Sequence, residues 1–141
     1  MRTLWEAVIL SGDLEWRYSL AHILAENGID SVYASSIEEC KEIVSRECVG
    51  LVFWDSHLAA SGYQELVRSV QSLDYRVKIV VISHVDDWEQ HLATARMGAF
   101  GVIPFPCHPT DIEWVLSRAA RAEREETTFA QPRELQLHTH R

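Results

Sequence analysis

The chain has 141 residues, 47% of them hydrophobic and 24% charged, the proportions of one globular domain with a true core and a short tail. A formal charge of −8 argues against gripping nucleic acid by its phosphates, and no apolar run approaches the roughly 20 residues of a membrane span. Cys40, Cys48 and Cys107 are odd in number, lack a CxxC spacing and read as buried thiols of a reducing cytosol, while the early acid in Met1-Arg2-Thr3-Leu4-Trp5-Glu6 speaks against a secretory leader.

Ala7-Val8-Ile9-Leu10 is the first apolar run, and Ser11-Gly12-Asp13 ends it. It reads as a buried strand followed by a turn. Asp13 is placed to cap a helix whose Trp16, Leu20, Ile23 and Leu24 repeat at helical spacing. Glu26-Asn27-Gly28 supplies the stop, with Gly28 in the left-handed position. Ser31-Val32-Tyr33-Ala34 is a short second strand. Ser36-Ile37-Glu38-Glu39 is a capping box, and the helix it opens turns Cys40, Ile43 and Val44 inward.

Leu51-Val52-Phe53-Trp54 is wholly apolar and ends abruptly at Asp55. Such a run reads as a strand buried on both faces of a parallel sheet. A third helix is expected after Ser61-Gly62, with Tyr63, Leu66, Val70 and Leu73 on one side. Lys78-Ile79-Val80-Val81-Ile82-Ser83 is a fourth buried strand. A fourth helix, Trp88 through Met97, follows Asp86-Asp87 and closes at Gly98. Phe100-Gly101-Val102-Ile103 is a fifth strand, interrupted by Pro104 and Pro106. The last helix starts at Pro109-Thr110-Asp111, with Ile112, Val115, Leu116 and Ala119 facing in.

Strand and helix alternate five times with short connections. That pattern predicts βαβ units, a doubly wound α/β fold with a five-stranded parallel sheet and helices on both faces. The domain is expected over residues 1–123 and a polar tail over 124–141.

Ligand sites of open α/β sheets lie at the carboxyl ends of the strands. Strand one delivers Ser11, Gly12 and Asp13 there; strand three delivers Asp55, Ser56 and His57; strand four delivers Ser83 and His84. Phe105, Pro106, Cys107 and His108 follow strand five. Asp55 is either a working carboxylate at the mouth of the sheet or the cap of the next turn. Ser83 is either a ligand hydroxyl or a strand end. Asp55, His57, His84 and Cys107 are also suitable ligand types for a transition metal, although no spacing among them is characteristic.

Five features in this order resemble the receiver domain of bacterial two-component response regulators. They are the order of elements, Asp55 at the end of strand three, Ser83 after Val80-Val81-Ile82, Gly98-Ala99-Phe100-Gly101, and Phe105-Pro106. The resemblance covers about residues 5–123. It implies a flavodoxin-like sheet ordered 2-1-3-4-5 and a cytoplasmic, non-enzymatic role in phosphorelay signal transduction. It also implies Asp55 as the phosphoacceptor position and Ser83 as the phosphoryl-binding hydroxyl. Arg17 matches a basic residue common early in the first helix. Phe105-Pro106 matches the Lys-Pro pair, where the family has a cis bond.

The chain also departs from that pattern. Ser11 and Gly12 stand where the family has two Mg²⁺-binding acids, Phe105 replaces the lysine, and Val102 replaces the aromatic switch residue. No cofactor is therefore expected, and Mg²⁺ binding should be weak or absent. The expected partner is a histidine kinase or another signalling protein. The rival reading is a phosphorylation-independent pseudo-receiver. A rival of another class is a small metal-binding protein using Asp55, His57, His84 and Cys107. Trp114 lies off the inward stripe of the last helix. It either anchors a partner, including a weak homodimer through helix four, strand five and helix five, or packs under Phe129 or Leu135 of the tail.

Overall fold

In the computed structural model, which describes residues 6–55, 63–73, 76–84 and 99–122, the five apolar runs pair side by side. The strands are β1 (Glu6–Leu10), β2 (Ser31–Ala34), β3 (Val49–Asp55), β4 (Lys78–His84) and β5 (Gly101–Phe105). Every pairing is parallel, and the order is β2-β1-β3-β4-β5. The central strands carry apolar runs, residues 7–10, 51–54 and 79–82, because both faces are covered there.

The alternation of side chains divides the core in two. Ile9, Phe53, Val80, Ile82 and Ile103 face one side. There they meet Trp16, Leu20 and Leu24 of α1 (Leu14–Glu26), and Ile112, Val115, Leu116 and Ala119 of the final helix, residues 109–122. Val8, Leu10, Val52, Trp54, Ile79 and Val81 face the other side. They meet Cys40, Ile43 and Val44 of α2 (Ile37–Arg46), and Leu66 and Val70 of α3 (Tyr63–Leu73). Phe53 and Trp54 are fully buried on opposite faces, each contributing about 2–3 kcal/mol of burial. The helix expected over Trp88–Met97 and the tail beyond 123 lie outside the described residues.

Local chemistry sets the element ends. The Asp13 side chain accepts the Trp16 N–H at 3.0 Å and starts α1. Gly28 ends it with φ 79°, a value that a side chain would strain, while the Ile29 N–H returns to the Leu24 carbonyl. Ser36 caps α2 by accepting the Glu39 N–H at 3.1 Å. The reciprocal half of the expected box is displaced by one residue. The Glu39 carboxylate takes the Ser35 N–H and hydroxyl, at 2.7 and 3.0 Å. The final helix opens with Pro109 in its first turn, and Asp111 accepts the His108 N–H at 3.0 Å.

Three expectations are corrected. Leu73 is 49% exposed, because α3 ends there and the residue falls beyond the sheet it was expected to cover. Cys48 is exposed, since it precedes β3 instead of lying within a packed element. Pro104 does not interrupt the fifth strand but lies inside β5, opposite Ser83. An edge strand tolerates proline because one side of its backbone has no strand to bond.

Candidate functional site

The carboxyl edge of β3 carries Asp55, which is 4% exposed. Its neighbour across the sheet is set by register. Ile9 and Phe53 are opposed on β1 and β3. Two residues further along each chain, Ser11 and Asp55 therefore project on the same side. The Ser11 Oγ donates to Asp55 Oδ2 at 3.0 Å, and Ser11 itself is 2% exposed. The same Oγ accepts the Asp13 N–H at 3.1 Å. The chain Asp13 N–H, Ser11 hydroxyl, Asp55 carboxylate ties the first turn of the domain to its central strand.

Asp13 is the acid nearest in sequence to the vacant pair of positions, but it serves elsewhere. Its Oδ1 caps α1, as its position before an apolar helical stripe predicts. Ser83 is buried at 7% exposure on β4, one residue beyond the register pair of Asp55 and Ile82. Ser11, Asp55 and Ser83 thus all lie at the carboxyl ends of their strands, with Ser11 bonded to Asp55.

Phe105 ends β5, opposite His84, and its peptide bond to Pro106 is cis. Its ring lies 6.2 Å from that of Trp16, inclined by 54°. Cys107 packs on the same cluster. Burial pushes the Cys107 thiol up to about 11, with a side-chain hydrogen bond from Trp16 acting the other way. Trp16, Phe105 and Cys107 therefore form an apolar wedge between α1 and the loop after β5. Val102 is half-buried on β5 and packs toward the α2 and α3 side of the sheet.

Of the possible metal ligands, His57 and the side chain of His84 lie outside the described residues. Among the described residues, no three His, Cys, Asp or Glu side chains are grouped so that they could hold a metal ion. Trp114 points outward as expected and is 58% exposed.

Sequence reading placed Ser11 at the carboxyl edge of strand one, where it stands in place of an acid. Its hydrogen bond to Asp55 was missed, although the two strand ends could have been aligned by their apolar runs. The contact of Trp16 with Phe105 and Cys107 had no such signal, because it depends on how α1 packs against a loop far away in sequence.

The fold is that of receiver domains. NtrX from Brucella abortus superimposes with a TM-score of 0.79 at 20% identity, over 89% of this chain and 29% of that one. A CheY-like receiver domain protein from Methanospirillum hungatei gives 0.73 at 22% identity, over 87% and 99% of the two chains. A response regulator receiver domain protein from Clostridium thermocellum gives 0.75 at 16%, over 86% and 98%. The chain thus spans less than a third of the NtrX chain and nearly all of the isolated receiver domains. No family model matches the sequence, and no curated protein does. Among the described residues, no helix is long and apolar enough to cross a membrane.

Proposed function

We propose that the chain is a receiver-like signalling domain that acts by protein contact and not through a phosphorylated Asp55. The observation that carries this reading is the hydroxyl of Ser11 on Asp55 Oδ2. Phosphoryl transfer to a carboxylate depends on positioning and on positive charge around the developing oxyanions. Where a receiver of the resembling family has two acids to hold Mg²⁺, this chain has Ser11 and Gly12.

The donor set does not fit Mg²⁺. That ion asks for near-octahedral oxygen ligation and gives up water reluctantly. One of the two Asp55 oxygens already accepts from Ser11, and the nearby Asp13 carboxylate is committed to the helix cap. At the position of the lysine stands Phe105, whose ring lies against Trp16. Each 1.36 kcal/mol of lost transition-state stabilisation slows transfer about tenfold, and a metal alone supplies several kcal/mol.

The partner is a histidine kinase or another signalling protein in the cytoplasm, met on the domain surface. The test is incubation with acetyl phosphate and with beryllofluoride, with and without Mg²⁺, read by intact mass and amide spectra. No added phosphoryl mass and no Mg²⁺-dependent spectral change are expected. Ready phosphorylation that is lost in Asp55→Asn would replace this reading with that of a working phosphoacceptor.

A further inference from the structure

β2, β1 and β3 begin side by side at the amino-terminal edge of the sheet, opposite the edge that carries Asp55, and each brings an acid. Glu6 is the first residue of β1, Asp30 immediately precedes β2, and Glu47 lies two residues before β3. Backbone hydrogen bonds fix them there. The Glu6 N–H donates to the Cys48 carbonyl at 2.8 Å, the Ala7 N–H to the Asp30 carbonyl at 2.9 Å, and the Val49 N–H to the Glu47 carbonyl at 3.0 Å. The ladder between β1 and β3 is interrupted at the same point. Its register shifts between Glu6 and Ala7, with Glu6 opposing Val49 and Ala7 opposing Leu51, so Gly50 has no opposite number.

Glu6 is half-buried, and its Oε1 is buried with no hydrogen-bond partner. Among the described residues, ion pairs join His22 to Glu26 and Lys41 to Glu38, and none involves Glu6, Asp30 or Glu47. The helices that lead into β2 and β3 end in Glu26, paired with His22, and in Arg46, whose Nε donates to the Glu42 carbonyl at 3.2 Å. Arg2, ahead of β1, lies outside the described residues. No acidic trio among the described residues is grouped to hold a metal ion. A hydrogen bond with the Glu47 side chain, then burial, then the charges of Glu47 and Asp30 hold the Glu6 carboxyl above its ordinary value of 4.5. Two carboxyls bond to each other only when one of them carries a proton, because ionised carboxylates are acceptors alone.

We infer that Glu6 keeps a proton and donates it to Glu47, a proton-held clasp that fastens the start of β1 to the start of β3 in mildly acidic surroundings and slackens in alkaline ones. The clasp lies at the far edge from Asp55 and is independent of the chemistry there. A carboxyl raised on folding contributes stability that is complete below its unfolded value and lost as pH rises through the folded one. Above that point Glu6 and Glu47 are both charged, and like charges repel. Asp30 adds a third charge of the same sign. The register shift beside Gly50 lets Glu6 part from β3 while Ala7 and the residues after it stay paired. Glu47 and Asp30 are exposed, so protons reach the pair from solvent.

The test is a pH titration of the full chain, read by side-chain carboxyl NMR and by amide hydrogen exchange. The Glu6 carboxyl should titrate above 4.5 in the wild type and fall back toward that value in Glu47→Gln. Protection of the Glu6 amide, corrected for the intrinsic exchange rate, should drop about threefold or more between about pH 5 and about pH 8. It should stay level over that range in Glu6→Gln and in Glu47→Gln, which keep a donor between the two side chains at every pH. At about pH 8 both variants should resist urea better than the wild type, and the advantage should disappear on acidification below about 4.5. The inference is overturned by a Glu6 titration at or below 4.5, by one that Glu47→Gln leaves unchanged, or by amide protection that does not vary with pH. It is likewise overturned if neither variant is more stable than the wild type at about pH 8. Restoration of the protection by Ca²⁺ at constant pH would also overturn it, by making the pair a cation site.

Discussion

Ser11 and Asp55 are separated by 44 residues in the chain and joined by a 3.0 Å hydrogen bond between two side chains that are almost wholly buried. The hydroxyl accepts from the Asp13 N–H as it donates to Asp55, so its orientation is set from both ends. Replacing Ser11 by alanine removes a donor from a buried carboxylate and an acceptor from the helix-entry turn. Hydrogen bonds to charged groups contribute about 1.5–3 kcal/mol. Ser11→Ala should therefore lower the unfolding free energy by about that much, with an unchanged denaturant slope in urea titration. A loss below about 0.5 kcal/mol would mean that the pair carries no structural weight.

The wedge at the other side of the site gives a second prediction. Ser11→Asp, Gly12→Asp and Phe105→Lys together supply two carboxylates and an ammonium around Asp55. Mg²⁺ affinity should rise by at least about tenfold, and a phosphorylated species should become detectable by mass after acetyl phosphate treatment. Phe105→Lys alone removes a ring from beside Trp16, so the indole emission should shift. A triple variant that is folded but inert toward Mg²⁺ would show that the loops have left receiver geometry.

The three thiols should react in order of exposure. Cys48 is exposed, Cys107 is half-buried and Cys40 is buried. Burial holds the Cys40 thiol at about 12 and is the main cause that holds Cys107 at about 11, against an ordinary value of 9.0. At pH 8 a thiol titrating at 11 has about a hundredfold less thiolate than one at 9.0. Iodoacetamide followed by peptide mass should modify Cys48 first, Cys107 much later and Cys40 only on unfolding. Early alkylation of Cys107 in the native protein would contradict its packing under Trp16.

Acid should weaken the start of α2. The Ser35 backbone N–H, and then its hydroxyl, hold the Glu39 carboxyl below its ordinary value of 4.5. A carboxyl lowered on folding contributes stability that is present above its unfolded value and lost as pH falls through the folded one. Glu39→Gln should therefore destabilise the protein at pH 7, and the difference from the wild type should shrink on acidification below about 4.5. A gap that stays constant down to pH 3 would assign the effect to propensity and not to charge.

Much of the fold was readable because β1, β3 and β4 carry uninterrupted apolar runs and the described helices have a cap or a periodic stripe. Ile9 and Phe53 announce burial on both sides without any knowledge of their partners. Asp55 was legible as a strand-end carboxylate for the same reason. What surrounds it was less so. Whether Asp13 serves a cap or an ion is decided by where the first turn of α1 lies, and the rings of Trp16 and Phe105 meet only after the final loop is folded back. Pro104 misled because strand propensity penalises proline without knowing which strand will be outermost. Leu73 misled because a helical stripe does not reveal where the surface beneath it ends.

The placement of Pro104 has a consequence for how copies of the molecule behave when crowded. A five-stranded open sheet has two rims, here β5 and β2, and a bare rim is a template for adding a foreign strand. On β5 the proline removes a donor from the fourth position of a five-residue rim. On β2 the strand is only four residues long, and Arg17 is stacked over its Tyr33 at 4.8 Å. One rim is interrupted and the other is short, and both features disfavour the addition of a foreign strand.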